Sequence, residues 1–330
     1  MTARLRVVVV GAGMAGLVAA RDLSPRFDVV VVDKGRGVGG RLATRRIGDA
    51  TFDHGAQFVT THTAEFADLV ARWERDGVAE PWFHGQIGPD GVTDPDGHPR
   101  FRGVISMNAI AKHLATGLDV RVATPVTAVE PSGVGWQIRL GDGSQLAADA
   151  VVLTAPVPQS LALLAAGPVE LSAADIEALD AVRYDPCIAV LAALDGASGL
   201  DGAGAVRPAT GPIEWMADNQ LKGVSAVPAV TIHATAHFSS TRWESSDEQV
   251  IAELLAAAHL AAPPIDGQPQ VQRWRFARPA TIHPQRCLTA TGVAPLVFAG
   301  DAFGGAKVEG AALSGSAAAA AVIGLLDRTG

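Results

Sequence analysis

Residues 6–16 read RVVVVGAGMAG, and residues 28–33 read DVVVVD. The run Val7–Val10 is apolar at every position, as a strand covered on both faces must be. It stops at once in Gly11-Ala12-Gly13-Met14-Ala15-Gly16, and residues 17–23 continue with helical spacing. A second apolar strand, 29–32, completes a βαβ unit of about thirty residues. Each glycine has a task there: a tight turn, close approach of backbone to a pyrophosphate, and close packing of helix on strand. The helix start offers free N–H groups and partial positive charge to phosphates. Asp33 ends the second strand, 22 residues after Gly11, where its carboxylate can accept hydrogen bonds from a ribose. This turn is therefore a nucleotide site, though by itself it does not separate NAD from FAD.

Outward from this unit, residues 35–40 form a second glycine loop, GRGVGG. Helices are expected at 62–76, 107–116, 172–182 and 247–260, the third opened by a Ser172 cap. The turn-rich stretch 86–100 reads as a hairpin or surface loop. Gly141-Asp142-Gly143 joins strands at 135–140 and 145–147. Residues 151–154 and 296–299 read as buried strands, and 187–194, 229–238 and 270–277 as antiparallel ones. No internal repeat is visible. The apolar stretch 310–326, GAALSGSAAAAAVIGLL, falls short of the ~20 residues that cross a bilayer and reads as a buried helix. The N-terminal valine run ends in a glycine turn rather than a cleavage site, against a signal peptide.

Composition narrows the class. The chain has 330 residues, 48% hydrophobic and 18% charged, enough to bury a core and too apolar for disorder. The net charge of −8 disfavours general nucleic-acid binding. Two cysteines, Cys187 and Cys287, form neither a zinc spacing nor a disulfide framework, so no metal is expected and a cytoplasmic location fits. No HExxH or GxSxG occurs, and the lysines are Lys34, Lys112, Lys222 and Lys307.

Further motifs carry a resemblance. They are Lys34–Arg41 (KGRGVGGR), Ala148–Pro156 (ADAVVLTAP), Leu296–Asp301 (LVFAGD), Gly304-Gly305 and Lys307–Gly310 (KVEG). Together with the first turn they resemble the flavin amine oxidase superfamily. Asp53–Thr60 (DHGAQFVT), Trp215–Asn219, Ile232–Ala234, Trp274–Ala277 and Val308–Gly315 (VEGAALSG) are similar, in the same order, to blocks of the renalase family. Phe58 stands where that family usually has tyrosine. The segment Asn219–Gly223 lacks the Pro and Arg that often follow the family's Asn and Lys.

The resemblance implies an α/β architecture: a Rossmann-like FAD-binding domain with an inserted substrate domain of mixed sheet and helices, in the p-hydroxybenzoate hydroxylase topology. The FAD-binding domain would take residues 1–75, 103–165 and 278–330, and the substrate domain 76–102 and 166–277. The resemblance further implies non-covalent FAD. Its contacts would be Gly11, Ala12, Gly13, Met14, Ala15, Gly16, Asp33, Lys34, Gly40, Arg41, Ala56, Gln57, Val126, Gly300, Asp301, Lys307, Val308, Gly310 and Ala311. The late Gly-Asp would hold the ribityl and pyrophosphate region. The last helix would point its N-terminus at the flavin, where it favours the negative charge of the reduced ring.

Gln57 would lie beside the ring, with Trp215, Asn219, His233, Trp274 and Arg275 as substrate-pocket candidates. Trp215 and Trp274 could equally fill a core, and His233 and His237, four apart in an expected strand, would share a face. The implied reaction is oxidation of the 2- and 6-dihydro isomers of NAD(P) to NAD(P)+ by hydride transfer, with O2 reoxidising the flavin to give H2O2. Expected partners are thus a dihydronicotinamide dinucleotide and O2, without nucleic acid or membrane. The alternatives are an amine oxidase and a non-enzymatic FAD-binding protein. A nicotinamide-dependent dehydrogenase is weakened by the lack of a second GxGxxG.

Overall fold

The computed structural model describes residues 4–328. The chain divides into two compact units: residues 1–40, 111–183 and 279–330, and residues 41–110 and 184–278.

The first unit is built on a six-stranded sheet. Its order is Leu288–Thr289, Leu296–Phe298, Ala150–Leu153, Arg6–Val10, Asp28–Val32, Asp119–Arg121. All neighbours are parallel except the edge pair of Leu288–Thr289 with Leu296–Phe298. Val7 lies opposite both Ala150 and Val29, so the first strand is central. Burial of Val7–Val9 to 0% exposure explains the unbroken apolar run. Strand order reverses on either side of Arg6–Val10, and in such sheets ligands bind beyond the carboxyl ends at that reversal. A hairpin sheet, Val126–Ser132, Gly135–Leu140 and Gln145–Ala148, turns at Gly143 (φ +85°) as the sequence indicates.

The first helix, Met14–Leu23, begins three residues before the expected start and includes Gly16. The last helix, Lys307–Leu326, has 20 residues, so the expectation that it is too short for a bilayer fails on length. Its length and composition would suffice to cross one. Here Val308–Gly315 are buried, and a Cβ on Gly315 would stand 2.3 Å from the Ala15 carbonyl oxygen, the mark of helix packed closely on helix. The helix Val157–Ala166 was not anticipated, because Pro156 and Pro158 read as strand terminators. Proline in the first helical turn forfeits no intrahelical hydrogen bond and suits a helix start equally well.

The second unit holds a five-stranded sheet: Ala205–Val206, Ile213–Asp218, Ala229–Ala234, Arg183–Ala193 and Gln270–Thr281, the last two straddling unit boundaries in the chain. Beside it are the pair Thr44–Ile47 and Ala50–Asp53, and the sheet Val59–Thr60, Thr93–Gly103, Ala79–Ile87. The last two strands form the hairpin suggested by the turn-rich segment, with longer arms than expected. Helix Ala64–Arg75 is capped by Thr63 and buries Phe66, Val70 and Trp73, spaced four and three apart.

The division differs from the expected boundaries at 41–75, 103–110 and 166–183, and by one residue at 278. Residues 41–75 belong to the second unit because Ala50 and Phe52 pack into a core with Leu191, Ala193 and Ala229. Residues 166–183 belong to the first, where the Asp175 carboxylate accepts from the Thr291 N–H and hydroxyl. The strand expected over 229–238 stops at Ala234, and Thr235 caps a short helix, Ala236–Thr241. His237 therefore lies on a helix and does not share a strand face with His233.

Candidate functional site

In the first unit, the glycine turn is held from both sides. Gly11 takes φ +113°, and a Cβ there would lie 2.4 Å from Thr154 Oγ1. That hydroxyl lies 3.0 Å from the Val10 carbonyl oxygen and 3.2 Å from that of Gly11, to which it donates. A Cβ on Gly16 would stand 1.9 Å from the Gly11 carbonyl oxygen. By contrast, a Cβ on Gly13 would meet nothing within 4 Å. Gly13 is the N-cap of Met14–Leu23 and supplies no side-chain cap, so the first-turn N–H groups have no capping acceptor from it.

The second glycine loop backs the first. The Gly39 N–H donates to the Ala12 carbonyl oxygen at 2.8 Å, and Gly40 (φ +53°) lies against Gly13. The Asp33 carboxylate accepts from the Ala12 N–H at 2.7 Å and the Gly35 N–H at 2.6 Å. It thus ties the two loops together and keeps further lone pairs for a ribose. Lys34 is exposed and donates to Gln159, and Val126 opens the strand of the hairpin sheet.

Gly300 takes φ +139°, and its N–H donates to the buried Ser314 hydroxyl at 2.8 Å. Asp301 is buried beside it in the chain. Lys307 (φ +68°) opens the last helix, Val308 and Ala311 are buried, and a Cβ on Gly310 would collide with the Gly305 carbonyl oxygen at 1.8 Å. The helix N-cap, Ala306, provides no side-chain acceptor. Two uncapped helix starts, an open position at Gly13 and glycines packed too tightly for any Cβ suit a dinucleotide cofactor.

Three expected cofactor contacts, Arg41, Ala56 and Gln57, fall in the second unit. The Ala56 N–H donates to the Arg41 carbonyl oxygen, and the Arg41 guanidinium donates to the carbonyl oxygens of Phe276 and Ala277. They fix the turn that follows Asp53. Asp53 is fully buried and is the hub of a polar network. Its carboxylate accepts from Thr44 Oγ1 (2.7 Å), the Met107 N–H (3.0 Å) and Lys222 Nζ (2.9 Å). Its N–H donates to Asn219 Oδ1, and its carbonyl oxygen accepts from Gln57 Nε2 (2.7 Å) and Thr231 Oγ1 (3.0 Å). Asn219 Nδ2 donates to the Thr231 hydroxyl at 3.0 Å. With both ends of its side chain engaged and no exposure, Asn219 is a scaffold residue rather than a pocket contact.

The next residue, His54, offers its carbonyl oxygen to Trp274 Nε1 (3.0 Å) and His233 Nε2 (3.2 Å). A carbonyl oxygen can only accept, so His233 carries its proton on Nε2. The His54 ring stacks on Trp274 at 5.4 Å between centroids. Trp215 lies opposite His233 across neighbouring strands, and so on the same face. It packs with Phe58, Trp82 and Phe83 at centroid distances of 5.4, 6.3 and 6.5 Å. Arg275 does not join this group: adjacent strand residues point to opposite faces, and its guanidinium lies 4.8 Å over the Trp243 ring. Sequence reasoning missed Lys222, Thr231, Trp82 and Phe83, which meet the motif residues only through tertiary pairing.

Among the described residues, three buried side-chain polar atoms have no partner: His54 Nδ1, Gln57 Oε1 and Trp215 Nε1. Gln57 donates through Nε2 to the carbonyl oxygens of Asp53 and Gly55, which fixes the amide with its oxygen pointing elsewhere. An unsatisfied buried polar atom costs about 1–3 kcal/mol. Such atoms call for a partner, which a ligand or an ordered water can supply.

Burial drives the His54 imidazole down to about 4, aided by the positive charge of Arg45, and burial likewise lowers His233 to about 4. Both are neutral at pH 7. An unfolded imidazole takes its proton near 6.5. Stability is therefore fully present above that value and is lost as pH falls toward 4. Between pH 7 and 4.5 each imidazole should remove roughly 2 kcal/mol. Urea melts at the two pH values check this: the loss should shrink in His233→Gln, and an equal loss in that variant and the parent would contradict the assignment.

Residues 9–73 match the NAD(P)-binding Rossmann-like domain, and residues 95–323 match the flavin containing amine oxidoreductase family. Mouse renalase is 27% identical over 172 residues, covering 48% of this chain and 49% of that protein. The chain thus spans about half the length of this curated relative. Among solved structures, a protein from Exiguobacterium sp. 255-15 described as a protoporphyrinogen oxidase superposes with a TM-score of 0.73 at 14% identity, covering 96% of this chain and 98% of that one. A mutant putrescine oxidase redesigned in cofactor binding gives 0.71 at 17% identity, covering 97% and 99%. These last two likenesses speak to fold alone. With the family match extending over most of the chain, the protein belongs to the flavin-containing amine oxidoreductases and is a renalase-like member of that superfamily.

Proposed function

We propose that the protein oxidises the 2- and 6-dihydro isomers of NAD(P) to NAD(P)+, using non-covalent FAD and O2. The observation that carries this reading is the trio of unpartnered atoms on His54, Gln57 and Trp215, set among aromatic rings. A flat ring bearing a few hydrogen-bonding groups suits such a surface. The partial match to renalase supports the substrate class.

When bound, FAD would supply the two-electron redox chemistry by which the substrate's hydride, with one proton from water, reduces O2 to H2O2. The chain's own part is to bind and orient. The starts of Met14–Leu23 and Lys307–Leu326 would hold the cofactor by backbone N–H groups and helix dipoles, Asp33 by its carboxylate, and Gly13 by leaving room for it. Trp274, Trp215 and Phe58 would exclude water and hold a planar substrate. Loss of a hydride from a dihydronicotinamide makes the ring aromatic and needs no side-chain base. Two imidazoles pushed down to about 4 are weak bases, in keeping with that. The Asp53 carboxylate is already satisfied by three donors and offers no charge to an ammonium.

The test is anaerobic titration of the yellow protein with 2-dihydro- and 6-dihydro-NAD(P), ordinary NADH and simple amines. Fast bleaching by the first two and slow bleaching by NADH is the expected result. Bleaching by amines instead would make the protein an amine oxidase, and bleaching by no donor would make the flavin structural.

A further inference from the structure

Lys222 is fully buried, yet it lies in neither glycine loop and offers no exposed atom to a substrate. Its ammonium touches two structures at once. On one side it donates to Asp53 Oδ2 at 2.9 Å. On the other it stands 4.9 Å from the centroid of the Trp82 ring. Asp53 precedes His54 and, through its carbonyl oxygen, fixes the amide of Gln57. Trp82 packs at 6.3 Å on Trp215 and is itself pinned by its Nε1 donating to the Ala203 carbonyl oxygen at 2.9 Å. The two contacts of one cation therefore lead to the residues that own all three unpartnered atoms. Lys222 is held in turn by its own N–H, which donates to the Asp218 carbonyl oxygen at 2.9 Å, while the Asp218 carboxylate accepts the Gln220 and Leu221 N–H groups and fixes the loop.

We propose that Lys222 is the positioning residue of this site: clamped between the Asp53 carboxylate and the Trp82 ring, it sets the spacing between the turn bearing His54 and Gln57 and the aromatic cluster bearing Trp215. The compact charge satisfies a carboxylate oxygen and a ring face together, and both contacts strengthen when water is excluded. The inference rests on the proposed reading for its kinetic consequence, but the geometry it asserts does not depend on the substrate.

The experiment compares the holoenzyme with Lys222→Met and with the double variant Asp53→Asn/Lys222→Met. Three readouts are taken where each protein is folded by circular dichroism: urea stability, NMR titration of the His54 and His233 imidazoles, and kcat and KM for 6-dihydro-NAD. Displacement of reacting groups by about an ångström costs on the order of 100-fold in rate. A fall of that size in kcat, with KM changed less, is expected for Lys222→Met, and the His54 titration should move up from about 4 toward its ordinary range. The double variant, freed of the stranded carboxylate, should regain stability without regaining kcat.

Lys222→Met with unchanged titration and kcat would overturn the proposal. So would a double variant that regains kcat together with stability, since the pair would then be a structural ion pair alone. If Lys222→Met does not fold, the double variant decides. If the parent enzyme does not oxidise the dihydro isomers, the substrate reading fails and the imidazole titrations still test Lys222.

Discussion

Lys222→Met is expected to lose about 3–5 kcal/mol of stability in urea denaturation at pH 7, the range for removing one partner of a buried ion pair. Methionine fills most of the space left by the lysine stem, so little of the loss comes from packing. The loss comes from the Asp53 carboxylate, which would remain at 0% exposure with only a hydroxyl and a backbone N–H against its charge. Burial already pulls the Lys222 ammonium below its ordinary value, and the adjacent carboxylate resists that pull. Desolvation is the larger of the two effects, so taking one partner away leaves the other charge buried without compensation. The Asp53→Asn/Lys222→Met pair should recover most of the loss. A single variant within 1 kcal/mol of the parent would mean that water reaches Asp53, contrary to the observed burial.

Gly13→Ala is expected to separate the cofactor from the fold. Its Cβ would meet no protein atom within 4 Å, and the Gly13 backbone (φ −81°) accepts any residue. The apoprotein should thus stay within about 0.5 kcal/mol of the parent. The space that the Cβ takes is where a pyrophosphate must approach the backbone, so flavin affinity should fall about 100-fold, equivalent to ~2.7 kcal/mol. Gly16→Ala is the contrasting case. Its Cβ would stand 1.9 Å from the Gly11 carbonyl oxygen, so the turn must move and both apoprotein stability and flavin retention should drop. Equal flavin affinity in Gly13→Ala and the parent, by fluorescence quenching on reconstitution, would remove the turn from the binding site.

The parts of the molecule legible in the sequence are those set by local rules. Four valines followed by GAGMAG specify a strand covered on both faces, a turn with no room for a Cβ at Gly11 or Gly16, and a helix start, all within eleven residues. The GDG hairpin and the Ser172 cap follow equally short-range chemistry. The helix Val157–Ala166 escaped because proline marks strand ends and helix starts alike. His237 was misplaced because Thr235 stops the strand by capping a helix that apolar alternation does not reveal.

The site in the second unit was legible only as isolated motifs. Asp53 and Lys222 are 169 residues apart, and no spacing rule joins them. Trp215 and His233 were both singled out, but that they face the same way depends on the register of two strands. Trp274 and Arg275 show the reverse: strand alternation alone separates them, and reading it would have excluded Arg275 from the pocket. Asn219 reads in the sequence as a substrate-pocket candidate, whereas its side chain bonds Asp53 and Thr231, because hydrogen-bond satisfaction is a property of the folded core.

The central claim is that the glycine turn and the start of the last helix hold FAD without a covalent bond. Its most direct test is to denature the purified protein, separate small molecules by filtration, and identify the chromophore in the filtrate. One FAD per chain, with no yellow colour left on the polypeptide, is the result expected here. A preparation that is colourless and stays so after incubation with FAD, or colour that remains on the denatured chain, would contradict it.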